Sequence, residues 1–386
     1  MNSVVAVIGD GQLARMMQPA AVELGISLTV LGSSLDSSAA QSVQKTVLGD
    51  YTNLDDLRRA VSGADAMTFD HEHVPNEHAE VLLGEGVIVE PRPHALIYAQ
   101  DKLAQRRKLA ALGVPVPEFA AIENTANIED FWSRVDGNVC LKAARGGYDG
   151  HGVWFPASLA QARELVEKLL ADAVPLVAER KVGFIRELSV LVARNRSGEI
   201  RAWEVTESVQ RDGICVEAVA PAPNLPVQKS EELQELGAKI ARELDVTGVM
   251  AVELFQLADG SVFVNELAIR PHNTGHWTQN GSVTSQFEQH LRAVLDLPLG
   301  CTDMCGGYTV MANILGGPEI PAQGMKERMS AVWERFPQAK IHLYGKEYRP
   351  GRKLGHVNVT SAQEDEARRV AKAAAHYMVH GAWASA

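Results

Sequence analysis

One short stretch constrains this chain more than any other. Residues 249–257 and 261–270 are largely apolar runs on either side of Ala258-Asp259-Gly260. Asp-Gly between two such runs signals a two-residue hairpin turn. Pairing Ala258 with Ser261 and continuing that register places Glu253 directly opposite Glu266. Opposed Cβ atoms in a strand pair lie roughly 5 Å apart, a distance at which like charges destabilise a sheet. Both carboxylates sit in otherwise apolar strands, so a cation between them removes the conflict. Carboxylate oxygens combined with phosphate oxygens suit Mg²⁺, with Mn²⁺ as the alternative. Asn265, beside Glu266, is expected to face the metal or the ligand from the strand end.

The same strand runs into Arg270-Pro271-His272-Asn273-Thr274-Gly275-His276-Trp277. An arginine can clamp an oxyanion through two parallel hydrogen bonds. A histidine can give or take a proton near neutral pH. Carboxylates dominate this neighbourhood and no thiolate is near, so zinc fits it less well.

A second glycine-rich segment lies upstream. The run Val139-Cys140-Leu141-Lys142 ends at a lysine and enters a loop with four glycines in the seven residues 146–152. Loop amides can cradle phosphates while the lysine supplies a point charge. A strand, not a helix, follows at Val153, and no Gly-Lys-Ser/Thr ends the loop, so this is not a P-loop. A lid over a nucleotide is the expectation. A third such segment, Gly9-Asp10-Gly11-Gln12-Leu13-Ala14, fits GxGxxA between a strand and a helix, with Asp36 further on. That pattern keeps a nicotinamide-dependent dehydrogenase open. A basic turn, 344–356, carries Lys346, Arg349, Arg352 and Lys353 against one Glu, a composition suited to a phosphate monoester.

The wider chain frames these segments. Strands expected at Val4–Ile8, Ser27–Leu31, Ala66–Phe69 and Val87–Val89 alternate with helices at 12–24, 55–61 and 76–83, which implies a parallel βαβ sheet. A long helix is expected over 98–112. The middle region reads as strands with two helices, near 159–170 and 230–244. Beyond 299, strands at 308–314 and 339–343 precede a helix at 363–379. The expected division is therefore 1–105, 106–298 and 299–386, in keeping with a length of 386 residues. A net charge of -11 argues against nucleic-acid binding. No stretch approaches a membrane span, and Val4–Ile8 has no basic segment before it, unlike a secretory signal. The four cysteines form no CxxC pair, and three of them are expected in strand-like contexts. A reducing cytoplasm is the simple expectation.

Lysine, glycine lid, paired Glu strands and adjacent Asn together resemble the ATP-grasp superfamily. Longer strings narrow the resemblance: Phe69-Asp70-His71-Glu72-His73-Val74-Pro75, Gly146–Gly152, Asn265-Glu266-Leu267-Ala268, Arg270–Thr278 and Arg349-Pro350-Gly351-Arg352-Lys353-Leu354-Gly355-His356. Over about the whole chain and in order, these are similar to the N5-carboxyaminoimidazole ribonucleotide synthases, ATP-dependent carboxylases of purine biosynthesis. The family usually has Pro at 269, Ser at 274 and Phe-Glu-Asn at 71–73; this chain has Ile269, Thr274 and His71-Glu72-His73.

The resemblance implies an α/β plus α+β fold: a parallel pre-ATP-grasp domain, an ATP-grasp domain and a small β-rich C-terminal domain. It implies ATP contacts from Lys102, Lys142, the lid Gly147, Tyr148, Asp149, Gly150, His151, Gly152 and Val153, the hinge strand Glu179, Arg180, Lys181 and Val182, and Glu187, Gln210, Asn265 and Glu266. Glu253 and Glu266 would hold the metal. Arg270, His272 and Asn273 would orient bicarbonate and the carboxyphosphate formed from it. Gln12, Glu72, Lys346, Arg349, Arg352 and Lys353 would hold aminoimidazole ribonucleotide. A cytoplasmic homodimer acting on small molecules, with no nucleic acid or membrane partner, completes the expectation. Within the superfamily, a formate-dependent glycinamide ribonucleotide transformylase is the rival. The Arg-Pro-Gly-Arg-Lys and Asn-Thr-Gly-His-Trp strings speak against it.

Overall fold

The structure, a computed structural model, describes residues 3–147 and 151–384. Three sheets organise it. The first is parallel and four-stranded, in the spatial order Lys45–Leu48, Ser27–Gly32, Val4–Ile8, Ala66–Phe69. Helices Gln12–Glu23 and Leu54–Val61 complete its βαβ units. Val87–Val89 forms no strand of its own; Val89 makes only an isolated bridge to Met67. The additional strand Lys45–Leu48 lies at the sheet edge and is partly exposed along its length, so it lacks an apolar run.

The second sheet is antiparallel, in the order Phe119–Ile122, Leu176–Arg180, Val139–Ala143, Val153–Trp154. Lys142 pairs with Val153 on either side of the glycine-rich segment, the expected strand–loop–strand order.

The third sheet has nine strands. Its path runs Val262–Ala268, Gly248–Gln256, Arg186–Arg194, Thr206–Arg211, Ile214–Ala220, Tyr308–Leu315, Lys353–Ser361, Lys340–Leu343, and Ile200–Ala202 pairs aside with Arg186–Arg194. The C-terminal strands therefore extend the same sheet that carries the paired glutamates. Helix Glu364–His380 packs Ala367, Val370, Ala371 and Ala374 onto these strands. Of the cysteines, Cys140 and Cys215 are buried in strands, whereas Cys301 and Cys305 are exposed.

The helix expected over 98–112 is two helices, Pro93–Gln100 and Lys102–Ala111. They break at Asp101, whose extended backbone (φ -130, ψ 107) lets its carboxylate accept from Ala104 N and cap the second helix. The break puts Lys102 at a helix start, facing the glutamate pair.

Candidate active site

The hairpin holds two irregularities that offset each other. Its loop is three residues, not two: Leu257 N donates to Ser261 O at 2.9 Å, and Gly260 adopts φ +83. That shifts the register by one, so Leu254 faces Val264. A β-bulge then inserts Asn265 and restores Glu253 opposite Glu266. Along Val262–Ala268 the in–out alternation breaks at Asn265 and Glu266, both half-buried, so both reach the site.

Each carboxylate of the pair has a nitrogen partner. Lys102 Nζ lies 2.5 Å from Glu266 Oε1, and His272 Nε2 lies 3.2 Å from Glu253 Oε1. Asn265 bridges, giving Nδ2 to Glu253 Oε2 at 3.3 Å and accepting Lys142 Nζ at 3.3 Å. Among the described residues no cluster of three or more His, Cys, Asp and Glu is arranged to hold a metal alone. Two opposed carboxylates are nonetheless hard oxygen donors that fit Mg²⁺ once phosphate oxygens complete its shell.

Lys142 Nζ also contacts Glu179 Oε2 at 2.8 Å, while Arg106 Nε holds Glu179 Oε1 at 2.8 Å. Burial pushes the Glu179 carboxyl up, but Lys142 and Arg106 outweigh it and hold the group at about 2. Arg106 is fully buried and also donates to Gln105 Oε1 and the Asn265 carbonyl. Nothing in the sequence singles Arg106 out; one arginine inside a helix reads as surface. On the neighbouring strand, burial and then Glu253 push the Glu187 carboxyl up to about 7.

Arg270 Nε lies 2.8 Å from Glu72 Oε2. Burial acts to raise the Glu72 carboxyl, and Arg270 overrides it and holds the group below its ordinary range. His272 Nδ1 meets Thr274 Oγ1 at 2.8 Å, and that hydroxyl meets Ser189 Oγ at 2.7 Å. Thr at 274 thus supplies the hydroxyl that Ser would. Ile269 is buried in the core cluster under the central strands.

The five carboxylates above, with Lys102, Lys142, Asn265, Arg270 and His272, line one cavity of about 1310 Å³, whereas Arg106, Ser189 and Thr274 do not. It is bounded by Gln12 and Glu72 from the parallel sheet; by Lys102, Lys142, Gly147, Val153, Glu179, Arg180, Lys181 and Val182 around the second sheet; and by Glu187, Gln210, Glu253, Asn265, Glu266, Arg270, His272, Asn273 and Lys353 from the third. His151 and Gly152 follow in the hairpin but do not line it. Tyr148, Asp149 and Gly150 lie outside the described residues.

The basic turn divides. Lys353 lines the cavity, and Lys346 Nζ donates to Gln12 Oε1 at its wall. Burial lowers the Lys346 ammonium, and Arg352 and Lys353 lower it further against Asp70. Arg349 and Arg352 do not line the cavity. The turn is tied to Gly316 by Gly351 N and by the Arg352 carbonyl, Arg349 is exposed, and Arg352 Nη1 donates to the turn's own Glu347 carbonyl at 3.2 Å.

The N-terminal glycine loop is no dinucleotide cradle. Gly11 N and Ala14 N both donate to the Asp70 carboxylate, so an internal anion takes the amides a phosphate would need. A Cβ on Gly9 would sit 2.8 Å from Asp70 Cβ and 2.9 Å from His71 Cδ2. The glycine therefore seats Asp70 and His71. Asp36 is exposed and outside the cavity.

A nucleotide-sized cavity between a lysine-bearing antiparallel sheet and a paired-glutamate sheet defines an ATP-grasp ligase. Family models agree: a ribonucleotide synthetase preATP-grasp domain matches residues 1–100, an ATP-grasp domain residues 107–287, and a phosphoribosylaminoimidazole carboxylase C-terminal domain residues 309–370. The N5-carboxyaminoimidazole ribonucleotide synthase of Corynebacterium ammoniagenes is 56% identical over 392 residues, covering 98% of this chain and 93% of that protein. The carboxyaminoimidazole ribonucleotide synthase of Aspergillus clavatus complexed with ATP superposes with a TM-score of 0.88 at 32% identity, over 98% of both chains. The same fungal enzyme in complex with ADP and 5-aminoimidazole ribonucleotide gives 0.87 at 30% identity, over 98% of this chain and 99% of that one. The chain belongs to the N5-carboxyaminoimidazole ribonucleotide synthase family.

Proposed function

We propose that this chain converts ATP, bicarbonate and 5-aminoimidazole ribonucleotide to ADP, phosphate and N5-carboxyaminoimidazole ribonucleotide. The observation that carries this is the single cavity in which Glu253–Glu266, Lys102 and Lys142 adjoin Arg270, His272 and Asn273, with Lys346 and Lys353 at one side.

A bicarbonate oxygen attacks the γ-phosphorus and the bond to ADP breaks, giving carboxyphosphate. The exocyclic amine then forms a bond to the carboxyl carbon, of carboxyphosphate or of the CO₂ it releases. Phosphate leaves and the amine gives up one proton. Such transfers depend mainly on positioning and charge. Lys142 and Lys102 orient the phosphates; Glu253 and Glu266 would hold Mg²⁺, which when bound would supply positive charge beside the phosphate oxygens. The hinge 179–182 reads adenine, Glu187 holds the ribose hydroxyls, Gln210 contacts ATP, and the lid 147–152 excludes water from carboxyphosphate, which hydrolyses readily. Arg270, His272 and Asn273 orient bicarbonate.

Gln12 and Glu72 hold the ribonucleotide and Lys346 and Lys353 its phosphate, while Arg349 and Arg352, outside the cavity, add positive charge from the turn behind them. Burial first, and then Arg352 and Lys353, disfavour the charge on Lys346, which supports that assignment because a phosphate dianion beside it would restore that charge. Residues from 1–105, 106–298 and 299–386 all line this cavity. A cytoplasmic homodimer is carried over from the family, and sedimentation of the purified chain checks the dimer.

The test is ADP release with each co-substrate omitted in turn. It should require Mg²⁺, bicarbonate and aminoimidazole ribonucleotide together. Turnover on formate and glycinamide ribonucleotide would overturn the assignment.

A further inference from the structure

His276 has no part in the chemistry above, although it lines the cavity beside His272 and Asn273. It is 1% exposed. Its ring can carry a proton on either nitrogen, and the fold decides which. Gln286, the first residue of helix Gln286–Val294, is fully buried and bridges the His272 backbone. Its Oε1 accepts from His272 N at 2.8 Å, and its Nε2 donates to the His272 carbonyl at 2.8 Å. A backbone N–H can only donate and a carbonyl can only accept, so both ends of this amide are fixed. The second Nε2 hydrogen therefore goes to His276 Nδ1, 2.9 Å away. Nδ1 accepts, and the neutral ring holds its proton on Nε2. Burial first, and then His272, Lys353, His342 and Arg270, keep the ring well below the ordinary histidine range. His276 Nε2 makes no hydrogen bond among the described residues, and unlike His356 Nε2 it is not sealed from solvent. It is a donor opening at the cavity wall, with the cations Arg270 and Lys353 lining the same space.

A donor fixed in advance needs no reorganisation when an anion arrives. We infer that His276 is a substrate contact whose tautomer is locked by Gln286, so that Nε2–H is presented to an anionic oxygen of a bound co-substrate. This rests on the proposed function, which brings two such oxygens to the cavity: bicarbonate beside Arg270 and His272, and the ribonucleotide phosphate beside Lys353. The lock also excludes another job. With Nδ1 spent on Gln286 and Nε2 already protonated, His276 does not take the proton that the exocyclic amine gives up. Gln286 is a positioning residue.

The test reads the proton first. Side-chain nitrogen NMR spectra of the full chain near neutral pH, with His276 assigned by the signals lost in His276→Asn, should show Nε2 protonated and Nδ1 bare. Bicarbonate and aminoimidazole ribonucleotide are then added in separate samples. One of them should shift the Nε2–H resonance, and that one is the anion His276 meets. His276→Asn keeps an acceptor near the Nδ1 position and deletes Nε2–H. It should raise the KM for the same substrate at least about tenfold, the loss expected for a hydrogen bond to a charged group, and the KM for ATP about twofold or less. In Gln286→Glu, Nδ1 should gain a proton, because residue 286 then offers it an acceptor; a merely structural Gln286 would leave Nδ1 bare. A proton on Nδ1 in the wild type, an Nε2–H that neither substrate moves, or equal losses for ATP and both co-substrates overturns the inference. If His276→Asn does not fold, His276→Phe, which keeps the ring volume, takes its place with the same expectations. Spectra as expected beside turnover that needs no bicarbonate would instead overturn the proposed function.

Discussion

At the scale of single residues, two charged groups at the cavity, one facing it and one buried behind it, have separable jobs, and mutation should tell them apart. Glu266 faces the cavity and is 39% exposed at its side chain, so its loss leaves little uncompensated inside. Arg106 is fully buried between Glu179 and the Asn265 carbonyl. Removing Arg106 leaves Glu179 with Lys142 alone and strips the Asn265 carbonyl and Gln105 Oε1 of their donor, a loss that approaches the roughly 3–5 kcal/mol of breaking a buried ion pair. Glu266→Gln should therefore lower kcat/KM at least 100-fold with a melting temperature within a few degrees of wild type. Arg106→Met should lower the melting temperature markedly before any kinetic effect is considered. Thermal melts run beside ADP-release assays check both. If Glu266→Gln unfolds or turns over normally, the metal-pair assignment is wrong.

At the scale of elements, the break at Asp101 carries the next prediction. The Asp101 carboxylate caps helix Lys102–Ala111 through Ala104 N and pairs with Arg145 Nε at 2.8 Å, at the base of the glycine hairpin. Losing a cap of this kind costs about 0.5–2 kcal/mol. Asp101→Ala also frees Arg145 and loosens the helix start that aims Lys102 at Glu266. The KM for ATP should rise several-fold while the KM for the ribonucleotide changes little; equal rises would show that Asp101 does not act through Lys102. The same break shows where sequence stops being informative. Apolar periodicity continues through Asp101, so only the local side chain-to-backbone bond ends the helix there. The glutamate pair was legible, but by a route the structure corrects: a three-residue loop and a bulge each shift the register, and their sum leaves Glu253 facing Glu266. Asn265 owes its place in the site to that bulge. The Arg270–Thr278 string announces its chemistry locally. Arg106, Ser189 and Gln286 do not, because each acts through partners that only the folded chain brings near. Likewise, no local signal shows that Tyr308–Leu315 pairs with Ile214–Ala220, a contact nearly a hundred residues apart in sequence.

At the scale of the whole molecule, buried histidines set the acid limit of stability. His290 sits where the parallel sheet meets the central one. Its Nδ1 accepts from Val249 N at 3.0 Å, which leaves Nε2–H to donate to Thr68 Oγ1 at 2.8 Å. A proton on Nδ1 would break the first of these bonds. Burial holds His290 at about 3. Burial, then Lys340, hold His342 at about 4. Burial also keeps His276 and His356 well below the ordinary histidine range. His356 stacks between the other two rings, with centroids 4.6 Å and 5.0 Å away. The unfolded chain binds protons on these groups below about pH 6.5 and the folded chain does not, so stability is full above that value and falls as the pH drops. Between pH 7 and 5, His290 and His342 each remove on the order of 2 kcal/mol. That is a large part of a total stability that is commonly about 5–15 kcal/mol. Glu179, at about 2, adds a further loss only below about pH 4.5. Glu187 runs the other way: its carboxyl, raised to about 7, favours the folded state less as pH rises from about 4.5 through 7. Denaturant melts from pH 8 to pH 5 should thus show a plateau near neutrality and a steep fall below about pH 6.5. His290→Gln should start lower at pH 7 and fall less steeply. Stability unchanged down to pH 5 would mean that these imidazoles already carry protons in the folded protein, against their burial.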